Sequence, residues 1–346
     1  MADRIRRSLP DIDPRAWEHP ADRAALGVLR QAGDLTRVSD LLVGLTQERQ
    51  MRLWHLGSAV RVSERQLRHL HDLMIQACAT LDVNPIPELF VMQHPILNAG
   101  VLGSKNPFIV LTSAAVSGIP DAQALALIGH ELGHIKSGHA PLKTLLALLL
   151  RLASGLGGAG LPRLVLQGLL LALLEWDRKS ELSADRAGLL ACQDPEAALG
   201  LLVRTAGGPL EGLELEPFIA QAEEYEKSAD ILDSVYKAMQ QVGLNHPMTA
   251  VRCRELRKWA DSGEYRSIVE GSYPRTGDPR PDVNEEIKAA QEQYREDLKE
   301  SEDPLARILG TLGKGLEDAG KQAQRFLDGL FGTGGRQGGD REGDKG

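Results

Sequence analysis

His130, Glu131, Leu132, Gly133 and His134 form the pentapeptide that most constrains this chain. An α-helix turns once every 3.6 residues or so, so residues four apart stack on one face. His130 and His134 can then aim two imidazole nitrogens at one metal ion. Glu131 falls about 100° round the helix, at the edge of that face, within reach of a metal-bound water. Two ligands and a general base on one helix are what a zinc peptidase requires.

Two histidines leave zinc short of the three protein ligands of a catalytic site. In one class of such sites a glycine follows the second histidine by three residues and a histidine by six. Here those positions hold Ser137 and Ala140, with Gly138 and His139 each one residue out of register. On a continued helix His139 lies about 140° beyond His134 and leaves the metal face, as a packing or hydrogen-bonding histidine at the helix end. Glu181, on a later helical stretch, is the better third ligand. Asp185 stands one turn beyond it on the same face, where it can accept the second N–H of a ligand histidine and fix its tautomer. Ala184 leaves room for two helices to approach. Taken alone, the two acids would suit a solvated helix surface.

Gly129 to His134, followed by Arg178-Lys179-Ser180-Glu181-Leu182-Ser183-Ala184-Asp185, resembles the gluzincin metallopeptidase family of HtpX and the CAAX prenyl endopeptidases. Asn98-Ala99 upstream and Asn245-His246-Pro247 downstream extend the similarity over roughly residues 60 to 260. The resemblance implies a zinc-dependent endopeptidase binding one Zn²⁺. Its ligands would be His130, His134 and Glu181, with Glu131 as base. It also implies that His246 helps to stabilise the tetrahedral intermediate; the alternative is a turn residue before Pro247. Asn98 and Ala99 would begin an edge strand beside the metal, to which a substrate peptide could add through main-chain hydrogen bonds.

The 346 residues allow one large domain or two smaller ones. A 42% hydrophobic and 25% charged composition is that of a globular protein, and 4% aromatics leave a core of Leu, Ala and Val. The net charge of −8 argues against nucleic-acid binding. Cys78, Cys192 and Cys253 have no paired spacing and suit a reducing compartment. No apolar run follows Arg4, Arg6 and Arg7, so no secretory signal is read. These features point to the cytoplasm, with membrane association left open.

The expected fold class is α+β: a mostly helical zincin-like domain with a small β-sheet beside the active-site helix. Residues 1–60 read as an N-terminal helical extension, broken near Gly33 and Gly44. Residues 61–272 read as the peptidase domain. Within it, Ser63 caps a helix to about Leu81, marked by Leu67, Leu70, Met74 and Ala77. Strands are expected at 88–92, 98–102 and 107–112. The metal helix starts near Pro120 and Asp121. Gly129 and Gly133 inside it cost about 1 kcal/mol each against Ala, which close approach of the sheet or the Glu181 helix would explain.

Residues 142–176 hold two dense leucine runs separated by Arg151, Gly155 to Gly158, Pro162 and Arg163. Neither run reaches the ~18 apolar residues of a spanning helix, although membrane-bound members of the resembling family span there. The preferred reading is an apolar helical hairpin, packed on the domain or buried in an oligomer; the other is interfacial membrane attachment. Helices are expected over 211–241 and 247–260. Residues 273–303 read as linker and charged helix, 304–331 as an amphipathic helix and 332–346 as a disordered tail. The expected partner is a peptide or protein substrate, with peripheral membrane contact or oligomerisation through 142–176 or 304–331 left open. Two other functions fit less of the sequence. A non-catalytic metal-binding chaperone or regulator would have no need of Glu131. A membrane-surface scaffold would make the hairpin and C-terminal helix the working parts.

Overall fold

The computed structural model describes residues 6–31, 45–155, 163–208, 211–227, 248–279 and 285. The expected break near Gly33 and Gly44, His246, and residues 286–346 lie outside them.

The apolar run Phe108-Ile109-Val110-Leu111-Thr112 is strand β4, buried along its whole length. It can be buried on both faces because it lies inside a four-stranded sheet of order β1-β2-β4-β3. Strand β2 (Leu89–Met92) runs parallel to β4, and β3 (Ala99–Leu102) runs antiparallel at the edge. Strand β1 (Val60–Arg61) pairs antiparallel with β2. Side chains alternate across the sheet. Ile109 and Leu111 enter the main core, while Phe108 and Val110 join Phe90 in a smaller cluster on the other face.

Helices cover both faces. Before the sheet come α1 (Pro20–Gln31) and α2 (Leu45–Ser58). Next are α3 (Arg68–Leu81), the short α4 (Ser113–Ser117) and the metal helix α5 (Asp121–Lys136). After them come α6 (Ala140–Gly155), α7 (Arg163–Cys192), α8 (Pro195–Gly207) and α9 (Leu215–Lys227). Two more, α10 (Thr249–Asp261) and α11 (Glu264–Val269), follow. The α+β class with a small sheet beside the metal helix is thus the observed one. The edge strand β3 packs against both α5 and α6.

Several local expectations differ from the structure. Ser63 does not cap α3. Ser63 and Gln66 exchange backbone hydrogen bonds of 2.9 and 3.0 Å, which closes a turn where the first helical turn was expected. The helix starts only at Arg68, after Leu67 in a left-handed conformation. Beyond these differences, the second leucine run continues into the helix of Glu181: α7 runs unbroken from Arg163 through Glu181 and Asp185 to Cys192. Leu142, Leu145, Leu146, Leu149, Leu173 and Trp176 are buried together, with Ala25 and Leu26 of α1 against them. No helix among the described residues is long and apolar enough to cross a membrane.

The N-terminal segment is part of the same core. Leu9, Ile12 and Trp17 are buried with residues of α3, α5, α7 and the sheet. Residues 274–279, read as the start of a linker, pair with this segment. Asp13 N–H donates to the Pro274 carbonyl at 2.9 Å, and Thr276 N–H to the Asp11 carbonyl at 2.6 Å. Cys78, Cys192 and Cys253 are free and buried.

Candidate metal centre

Helix α5 begins with Pro120 at its N-cap and Asp121 in its first turn, and carries His134 and Lys136 in its last. Both ends suit the helix dipole. The side chains from Leu125 to His134 are buried, Glu131 and His134 completely. Helix α7 crosses α5 at close range, and the glycines make the crossing possible. A Cβ on Gly133 would lie 2.6 Å from Cβ of Ala187, and one on Gly129 would overlap Ala191. Small residues on both helices bring the two backbones together, so groups on one can reach groups on the other.

His130, His134 and Glu181 meet at this crossing, their ligand atoms all within 4.8 Å of one another. Nε2 of His134 is 3.1 Å from Oε1 of Glu181, and Nε2 of His130 is 3.4 Å from Oε2. Tetrahedral zinc with N and O ligands near 2.1 Å would hold its ligand atoms about 3.4 Å apart. Two imidazoles and a carboxylate are also the donor types that zinc accepts. The residues fit a catalytic metal ion.

Each of these three residues has a second set of contacts. Oδ1 of Asp185 lies 3.0 Å from Nδ1 of His130. Arg252 of α10 grips Asp185 with Nη2 at 2.6 Å from Oδ1 and Nε at 2.8 Å from Oδ2. Its Nη1 stands 3.0 Å from Oε2 of Glu181. Lys143 of α6 donates to Glu181 at 2.7 Å and to Asp177 at 2.8 Å. Burial opposes a charge on His130, but hydrogen bonds to Asp185 and Glu181 outweigh it and lift its pKa to about 9. His134 goes the other way: burial and the charge of Lys143 hold it well below the usual imidazole range. Burial disfavours a charge on Asp185 too, yet the Arg252 guanidinium keeps its carboxyl below the ordinary carboxylate range.

His139 is not among the three grouped ligand residues, yet it has not left the site. Its Nδ1 is 3.0 Å from Nδ1 of His134. It is a hydrogen-bonding histidine at the helix end, as expected, but not on a continued helix, because α5 stops. Gly138 takes the left-handed conformation with φ of 71°, its N–H bonds the Ile135 carbonyl, and the His139 N–H bonds the His134 carbonyl. This glycine-ended reversal folds residue 139 back over residue 134. Gly138 in the sequence was the signal for it. Asp22 of α1, which sequence reasoning did not single out, lies beyond His139, its Oδ2 3.1 Å from His139 Nε2.

Asn98 directly precedes β3 and Ala99 opens it. Both line a small pocket of about 30 Å³ together with His130, Asp185 and Arg252. Leu97, Leu127, Leu201, Leu202 and Leu256 make its walls largely apolar.

The pattern of known proteins agrees with this geometry. Residues 63–260 match the family described as Peptidase family M48. The plastoglobule-localized metallopeptidase 48, chloroplastic, of Arabidopsis thaliana is 34% identical over 268 residues, which cover 75% of this chain and 76% of that protein. Protease HtpX homolog 2 of Methanosarcina acetivorans is 25% identical over 182 residues, covering 46% of this chain and 61% of that protein. The Protease HtpX homolog of Moorella thermoacetica is 26% identical over 184 residues, with the same shares. No solved structure matches the chain. A family match over more than half of the sequence, around two histidines and a glutamate gathered where two helices cross, makes the chain a metallopeptidase that belongs to peptidase family M48.

Proposed function

We propose that the chain is a zinc-dependent endopeptidase that binds one Zn²⁺ through His130, His134 and Glu181. The single observation that carries this reading is the buried His-His-Glu cluster, with Glu131 buried one residue after His130. Bound zinc would supply a water acidified toward a pKa of about 7 and a polarised substrate carbonyl. Glu131 takes the proton of the attacking water and returns it to the leaving amine, as a general base and then acid. Asp185 holds His130 in the tautomer whose Nε2 is a ligand. His246 adds to oxyanion stabilisation; the Asn245-His246-Pro247 motif supports that role. A substrate strand adds along Asn98 and Ala99, beside the small leucine-lined pocket next to His130. Processing or quality control of proteins is the corresponding cellular task.

Metal analysis together with hydrolysis of casein tests the reading. Wild type should carry one zinc and cleave. Glu131→Gln should keep the zinc and lose about 10²- to 10⁴-fold in rate. Near-normal hydrolysis by that variant would remove Glu131 from the mechanism.

One observation favours a peripheral lipid contact in addition. Leu53, Trp54 and Leu56 of α2 are exposed, Leu53 and Trp54 each to 55%, and the relative in Arabidopsis is named for plastoglobules. Trp and Leu side chains together on a surface helix suit a lipid interface. A cytoplasmic protein with this face would float with vesicles, and Leu53→Ser/Trp54→Ser should not. Equal flotation of both would discard this face as the contact.

A further inference from the structure

Three successive amides at the end of the edge strand converge on one side chain. Glu48 of α2 lies outside the residues matched to the family, and it is buried with only 7% exposed. Its Oε2 accepts the Ser104 and Lys105 N–H groups at 3.0 Å each, and its Oε1 accepts the Asn106 N–H at 2.8 Å. Consecutive N–H groups in a turn form a nest for an anion, and here the anion belongs to the chain itself. Burial opposes a charge on Glu48, but the hydrogen bonds from this turn outweigh it and hold the carboxyl below the ordinary carboxylate range. The turn joins β3 to β4. Gly103 opens it with a φ of 103°, and a Cβ there would lie 3.2 Å from Pro107 Cα and 3.4 Å from the Glu48 carboxyl carbon. On the other side, Thr144 of α6 donates to the Gly103 carbonyl at 3.2 Å. Helix α2 is itself seated on the sheet. Arg52 Nη2 donates to Glu88, just before β2, at 2.8 Å, and the His55 ring packs 5.2 Å from that of Phe108. Among the described residues, β3 pairs with β4 alone. Its position therefore depends on how this turn is held.

We propose that Glu48 is a positioning residue for substrate: by fixing the β3–β4 turn from α2, it holds the edge strand in place for strand addition. The proposal rests on the reading that a substrate strand adds along Asn98 and Ala99. A loose edge must be ordered each time a substrate binds, and that cost falls on ground state and transition state alike. It then shows in KM and not in kcat. Glu48→Gln is a sharp probe because glutamine keeps the shape but has one acceptor oxygen. In either orientation its NH₂ faces an amide N–H, so at least one of the three bonds is lost.

The test uses the full zinc-loaded chain and a casein peptide that the wild type cleaves. Glu48→Gln should keep its zinc and raise KM about 5- to 10-fold, with kcat within about twofold of wild type. Amide hydrogen exchange should quicken over residues 99–106, which span β3 and its turn. Met74→Ala truncates a buried side chain of α3, so it should lower Tm at least as far and leave KM within about twofold of wild type. Wild-type KM in Glu48→Gln, or an equal rise in Met74→Ala, would overturn the proposal. If Glu48→Gln does not fold, the wild type decides alone. Its Lys105 and Asn106 amides should resist exchange although both residues are exposed, and free exchange there overturns the proposal. Peptides methylated at alternate backbone nitrogens, in both phases, separate the two readings. A methyl group in the bonding phase should weaken binding about 10-fold or more, because it removes the N–H groups that face β3. If both phases are cleaved like the parent peptide, no strand adds to β3, and the edge-strand reading falls together with the proposal. If one phase is blocked while Glu48→Gln keeps wild-type KM, only the proposal falls.

Discussion

The two histidines of the metal helix are supported from opposite ends of the chain, by different chemistry. His130 leans on a carboxylate, Asp185, which Arg252 of α10 holds through two short hydrogen bonds. His134 leans on another imidazole, His139, and only through it on the carboxylate of Asp22 in α1. Both arms present Nε2 to the metal position. They differ in charge at the histidine. His130, beside acids, is raised to about 9, while burial and then the charge of Lys143 lower His134. An ionic arm is strong but leaves a buried charge if broken; an imidazole relay carries less charge and depends on proton placement. One fold can thus support two neighbouring imidazoles by two means, each with its own failure.

The largest effect should come from the group that both arms share. Glu181 touches both imidazoles and also Lys143 and Arg252. Glu181→Ala should remove zinc retention altogether and lower metal-free stability by at least about 3–5 kcal/mol, the cost of leaving buried cations without their carboxylate. Metal analysis after dialysis reads the first and urea unfolding the second. A full equivalent of zinc retained by Glu181→Ala would end the idea of a common ligand.

Next should come the ionic arm. Arg252→Met leaves Asp185 buried without its cation, and breaking a buried pair costs about 3–5 kcal/mol. Replacing both partners, Asp185→Leu with Arg252→Met, should recover much of that stability, because apolar groups of similar volume carry no desolvation penalty. Zinc affinity should not recover. It should stay about 10- to 100-fold low, because His130 still lacks its supporting partner. If affinity returned with stability, Arg252 and Asp185 would serve the fold alone, and the two arms would not be comparable.

The two arms also differ in how far the sequence discloses them. The spacing of Glu181 and Asp185 puts both on one helical face, and the spacing of His130 and His134 does the same on α5. Small residues at Gly129, Gly133 and Ala184 announce the crossing. Strands β2 and β4 were legible as short apolar runs, whereas β1 has only two residues, too few for any periodicity. The relay is harder to see. It needs a helix end, which Gly138 signals, and a partner more than a hundred residues away in a segment that reads as an extension. Asp22 looks like an ordinary acid in a first helical turn. Nothing local distinguishes it from a surface residue; only the packing of α1 on α7 brings it inside.

The smallest effect separates the arms most cleanly. Residues 274–279 hold the segment that carries Asp22. The Asp13 N–H bonds the Pro274 carbonyl, the Thr276 N–H bonds the Asp11 carbonyl, and Arg275 Nη1 donates to the Pro10 carbonyl at 2.9 Å. None of these contacts reaches Asp185 or Arg252. A chain ending after Pro279 keeps them all and is the reference for the shorter one. A chain ending after Tyr273 loses them. The bonds are near the surface, so the stability cost should be only about 1–2 kcal/mol in total. The loosened segment should weaken the His139 arm and leave the Asp185 arm intact. In ¹⁵N-histidine spectra the His134 and His139 signals should then broaden or shift while those of His130 stay in place. Equal disturbance of all three would mean that the two arms behave as one unit, and the distinction between them would fail.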